Sequence, residues 1–230
     1  MRTSNLSTVF AFFVVCIGCE REPAVTSQDA NSTPREKNEP VKPAATDSAA
    51  AVRPTGKKSD TASKPAISFN HIEYLFRWSE NGQFEFTPPG QEDLEKWTDM
   101  VTINVYPDAV DGDGLALVAN KVLTIYQSNN GKILKTDSVP RTAEKPAEHV
   151  IVAVLGNPAL MECVQARFKL IDGKGYAIIF SHRVYGERVG DEMSSWLDKN
   201  GPATEKALME YDPDFSKIPG LIKGDDNKSQ

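Results

Sequence analysis

Along the chain, Ile72, Tyr74, Phe76 and Trp78 alternate with polar residues, and beyond Ser79-Glu80-Asn81-Gly82 the alternation resumes at Phe84 and Phe86. A period of two marks half-buried strands, and Asn-Gly between two such runs is a strong hairpin turn, so residues 72–86 predict a β-hairpin. Pro88-Pro89-Gly90 ends it. Residues 91–97 are predicted as a short acidic helical turn with Leu94 and Trp97 on one face, followed by a strand over 100–106 that Pro107 stops.

A helical period takes over next. Leu115, Val118, Ala119, Val122, Leu123 and Tyr126 share one face of a helix that Asp113 would cap and Asn129-Asn130-Gly131 would stop. Residues 133–139 give a weaker strand signal. Residues 149–155 are almost wholly aliphatic, as in a strand covered on both faces. Val164, Ala166, Phe168 and Leu170 alternate with Gln165, Arg167 and Lys169, and Asp172-Gly173-Lys174-Gly175 turns the chain into a further strand over 176–185. A last helical region begins near Asp191, presents Met193, Trp196 and Leu197, breaks at Gly201-Pro202, and resumes through Ala207, Leu208 and Tyr211. Strands and helices do not alternate regularly. That excludes Rossmann-type and barrel architectures and predicts an α+β fold, an antiparallel sheet with helices packed on it.

The N-terminal 65 residues follow neither period. Arg2 is the leader's one charge, and residues 6–18 form an apolar run of about 13, short of the roughly 20 that span a bilayer and of the length of a signal-peptide core. Residues 1–18 therefore read as a signal peptide. Residues 20–65 hold 6 Pro, 8 Ala, 5 Ser and 5 Thr, with no aromatic residue and only three valines as larger aliphatics. Such a segment buries too little apolar surface to offset its ordering entropy and reads as a disordered tether, with an end-to-end distance of about 35–40 Å. Residues 66–230 remain as one globular domain.

The partition changes the charge picture. The whole chain carries −6, but leader and tether are each +1, so the domain carries −8. Repulsion from phosphate argues against nucleic acid as a partner.

Cys16-Ile17-Gly18-Cys19 resembles the lipobox of bacterial lipoproteins, in which a small residue precedes the cysteine that receives a diacylglyceryl group; that family usually has Leu where Cys16 stands. The resemblance implies lipid attachment at Cys19 and a bacterial cell-envelope location. An ordinary signal peptidase would cut the same bond and leave Cys19 unmodified, giving a soluble periplasmic or secreted protein. Phe84 to Phe86, Pro89-Gly90, the acidic turn and Trp97-Thr98-Asp99-Met100-Val101-Thr102 are similar to the N-terminal part of the PsbP-like fold, an α/β/α sandwich. Photosystem II subunits, a nuclear Ran-binding regulator and DcrB-type lipoproteins share it. That resemblance implies a binding or assembly role by analogy alone.

Candidate chemistry is sparse. Cys163 is the domain's one cysteine, and a nucleophilic thiol needs a base; His149, His182 and His71 are the candidates, with no spacing that builds a triad. No HExxH, Walker, GxSxG or SxxK pattern occurs, so no catalytic residue, cofactor site or metal site is assigned. Asp111-Gly112-Asp113-Gly114 lacks the third oxygen ligand of a calcium loop, because Leu115 stands there. Trp78, Phe84, Phe86 and Trp97 form either core or a ligand groove between the hairpin and the acidic turn. The sequence thus points to an exported, membrane-tethered, non-enzymatic protein that binds a protein partner or serves envelope assembly. The alternatives are a small-molecule or lipid carrier using the aromatic cleft and, less favoured, a cryptic hydrolase.

Overall fold

The computed structural model describes residues 65–218, 220 and 221; the leader, Cys19 and the tether as far as residue 64 lie outside the described residues. Eight strands form one antiparallel sheet: β1 (Ala66–Phe69), β2 (Ile72–Glu80), β3 (Gln83–Thr87), β4 (Asp99–Tyr106), β5 (Lys132–Val139), β6 (Glu148–Asn157), β7 (Leu160–Ile171) and β8 (Lys174–Tyr185). Two helices, α1 (Gly112–Ser128) and α2 (Val189–Glu210), pack on it, and the spatial strand order is β1-β2-β3-β4-β8-β7-β6-β5. The fold is α+β, as the element pattern predicts.

Tight turns set the registers. Asn81-Gly82 and Asp172-Gly173 both adopt positive φ, the two-residue turn that matches strand twist. Asn70 and His71 do the same, creating the hairpin β1–β2. That strand escapes the sequence pattern because a histidine at positive φ is a poor turn signal.

Alternation along each strand then sends side chains to two layers. Ile151, Ala153 and Leu155 of β6 with Val164, Ala166 and Phe168 of β7 meet Leu115, Val118, Ala119 and Val122 of α1. On the other face Phe84, Phe86, Val101, Ile103, Ile178 and Phe180 pack with Leu208 of α2, while Val150, Val152 and Cys163 surround Met193. β6 is thus buried on both faces, although β5 rather than β6 forms the sheet's edge.

Three predicted details differ. Residues 91–97 form a single turn, closed by Lys96 N–H to Asp93 O at 3.0 Å, not a helix. Asp111, not Asp113, caps α1, its carboxylate accepting from Gly114 N at 2.8 Å. α2 runs unbroken through Gly201-Pro202. The carbonyl that Pro202 cannot bond belongs to Asp198, an exposed residue of the helix, so no buried acceptor is orphaned by the proline.

The polar positions of β7 are not solvated either. Gln165 donates to Gly201 O at 3.1 Å, and Arg167 reaches Leu208 O and Tyr211 O at 3.1 and 2.8 Å, so both are buried beneath α2. α1, by contrast, packs over β5, β6 and β7. Beside it, on the same face, the side chains of β3, β4 and β8 turn polar: Gln83, Glu85, Thr102, Asn104, Ser181 and Arg183.

Candidate functional site

That polar stretch floors a cavity of about 640 Å³. Gln83 and Glu85 come from β3, Thr102 from β4, Glu162 from β7, and Ser181 and Arg183 from β8. Tyr126 from the end of α1 and Leu155 and Leu160 from the β6–β7 hairpin supply an apolar wall, and Leu94, Glu95 and Trp97 form the lip. The volume falls within the range typical of small-molecule sites.

Local structure fixes each boundary. Gly131 lets the chain leave α1 beside Tyr126, its N–H bonding Tyr126 O at 2.8 Å; a β-carbon there would lie 2.6 Å from that oxygen. The lip is held without regular structure. Gln91 Oε1 accepts from Thr98 N at 2.7 Å and Asp99 N at 2.9 Å, the Thr87 hydroxyl donates to Gln91 O, and the Tyr185 hydroxyl donates to Trp97 O at 2.7 Å. These bonds fix the main chain at Trp97, whose side chain is itself buried.

Charge is arranged around Arg183. Its Nε donates to Glu162 Oε2 at 2.8 Å, with both side chains about nine-tenths buried, and its guanidinium carbon lies 3.9 Å from the Trp97 ring centroid, a cation–π contact. Glu85 accepts from Gln83 Nε2 at 2.7 Å. Burial pushes the Glu85 carboxyl above its ordinary range; the Gln83 hydrogen bond and Arg183 oppose this, and Glu162 adds to it. Burial likewise pushes the Tyr126 phenol up, with Glu162 and Tyr106 adding, so it stays neutral and able to donate. A rigid aromatic lip, an apolar wall and a charged floor can orient an amphipathic ligand.

A protein-family model matches residues 62–212. The chain belongs to that family. No curated protein matches it in sequence. Among solved structures it is similar to the Saccharomyces cerevisiae Ran-binding protein Mog1p, at 11% identity over 60% of this chain and 84% of that one, with a TM-score of 0.37. It is also similar to human STARD10, at 10% identity over 60% and 74% of the two chains, with a TM-score of 0.26.

Of the four aromatic residues singled out as groove candidates, the structure brings only Trp97 to the cavity. Phe84 and Phe86 point to the opposite face, where they pack in the α2-side core, and Trp78 lies on β2 with 37% exposure, away from the cavity lining. β3 explains the separation: Phe84 and Phe86 alternate with Gln83 and Glu85, so one face joins the core and the other floors the cavity. Glu85, Glu162, Arg183 and Tyr126 were not legible as site residues, since alternating polar positions read equally well as a solvated face. Cys19 lies outside the described residues.

The remaining candidates occupy separate places. Cys163 stands opposite His182 across β7–β8, but its thiol is fully buried and is pushed up to about 12 by burial and Glu162, so it is a protonated core group. His182 Nδ1 lies 2.8 Å from Asp99 Oδ1, and its ring stacks on Trp196 at 4.2 Å. His149 bonds Ser138 across β5–β6 at 2.8 Å, and His71 sits in the first hairpin turn. Among the described residues, no group of three or more His, Cys, Asp and Glu is placed to hold a metal ion.

Proposed function

We propose that this protein is an exported, membrane-tethered binding domain that is not an enzyme, and that the cavity beside Trp97 takes its ligand. The preformed cavity carries this reading: Trp97, the Glu162–Arg183 pair and the lip are fixed before any ligand arrives, so little ordering cost remains for binding. The buried, protonated Cys163 supports a non-catalytic role. Attachment is assigned to the leader and Cys19 on the lipobox resemblance of Cys16-Ile17-Gly18-Cys19. Two acyl chains, at about 0.8 kcal/mol per buried methylene, anchor stably where one does not.

Fragment screening by amide correlation spectra tests the cavity. Bound fragments should shift the Trp97 indole N–H and the Gly156, Asn157 and Ser181 amides while leaving the Trp78 and Trp196 indoles in place. Shifts confined to α2 or β1, or none, would remove the reading. For the anchor, Cys19→Ser should move the protein from the membrane fraction to the soluble envelope fraction; retention in membranes would show that something other than acylation holds it.

A second reading, envelope assembly through a protein partner, is favoured by edge strand β5. Among the described residues it pairs with β6 alone and is exposed along nearly its whole length, which suits addition of a partner's strand.

A further inference from the structure

The cavity's two interior carboxylates face one guanidinium. Arg183 is committed to Glu162 and to the Trp97 face, whereas Glu85 accepts from a neutral amide, Gln83. A carboxylate has room for further donors, and a desolvated one gains more from a charged donor than an exposed one does. Glu95 at the lip adds a charge of the same sign. Beside this charged floor the lining turns apolar, with Tyr126, Leu155 and Leu160 as its wall.

We infer that the cavity takes a small organic cation, an amine whose ammonium group sits on the Glu85 carboxylate while its apolar body lies between Trp97 and the Tyr126–Leu155 wall. This rests on the cavity being the binding site, and it names the ligand's chemistry. The groups facing Glu85 are Gln83 on β3, Arg183 on β8 and Glu162 on β7, with Glu95 at the lip. Burial raises the Glu85 carboxyl, so at acid pH it is neutral and holds the ammonium weakly. Affinity should therefore rise with pH through the range in which Glu85 ionises, and binding should release a proton.

Calorimetry on the full chain with phenethylamine, phenethyl alcohol and hydrocinnamate separates charge from shape. The amine should bind about 10- to 100-fold more tightly than the alcohol, as a charge-assisted hydrogen bond implies, and the carboxylate most weakly. Glu85→Gln should abolish the preference for amine over alcohol, and Glu85→Asp, which keeps the charge, should restore much of it. Equal affinity for amine and alcohol, with both shifting the Trp97 indole, overturns the cation inference and leaves the cavity reading intact. No shift of Trp97 by any of the three, together with a failed fragment screen, overturns both.

Discussion

Arg167→Leu should lower the free energy of unfolding by about 3–5 kcal/mol, measured by urea titration, because the arginine is buried and its loss strips a half-buried carboxylate of its charged partner. Its Nε and Nη2 donate to the two oxygens of Glu148 at 2.7 and 3.0 Å, a bidentate pair, and its Nη1 donates to the carbonyls of Leu208 and Tyr211. Those carbonyls belong to the last turn and C-cap of α2: Leu208 O also accepts from Tyr211 N at 3.3 Å, whereas Tyr211 O lies past the last helical residue. One side chain thus satisfies a helix terminus and fixes α2 to β7. Lys169, bonded to Asp212 beside it, is more exposed to water at its partner's end and adds less. Adding Glu148→Leu to Arg167→Leu should recover part of the loss, since the uncompensated carboxylate is then removed while the bonds to the Leu208 and Tyr211 carbonyls stay lost. A loss below about 1 kcal/mol for the single variant would mean that α2 is held by its apolar face alone.

Arg167 also shows what the sequence pattern could and could not convey. Period-two alternation located β2, β3, β7 and β8, and the 3.6 period located α1, because these depend on one face being buried. The pattern does not say that the other face is solvated. Gln165 and Arg167 look like outward-facing polar residues, yet α2 covers them and uses their donors. Gln83, Glu85 and Arg183 look the same and instead floor a cavity, because α1 lies over β5–β7 beside them. Which polar face is covered by a helix, which floors a cavity and which meets water depends on contacts between residues far apart in the chain. Phe84 and Phe86 give the converse case. As aromatic residues near Trp97 in sequence they suggest a shared groove, but strand alternation sends them through the sheet to the opposite layer. The turn at 91–97 was legible as a bend and not in its bonding, since Gln91 supplies from a side chain the acceptors that a helix would supply from its backbone.

The largest effect on binding is expected at Ser181. It lies near the middle of the floor, with Met100 and Val164 as its cross-strand neighbours and the open cavity above. Ser181→Trp projects a large ring into that space. Since the ring enters a partly apolar cavity and not a closed core, folding should suffer less than the about 1–3 kcal/mol that overpacking imposes on such a core. Binding, in contrast, should be lost, because the ring occupies the volume between Trp97 and Tyr126. The measurement that tests the account most directly is therefore the fragment titration repeated on Ser181→Trp, read at the Trp97 indole N–H alongside a urea unfolding curve. A folded variant whose Trp97 resonance no longer responds is the predicted result. A folded variant that binds with unchanged affinity would contradict the assignment of the cavity as the ligand site.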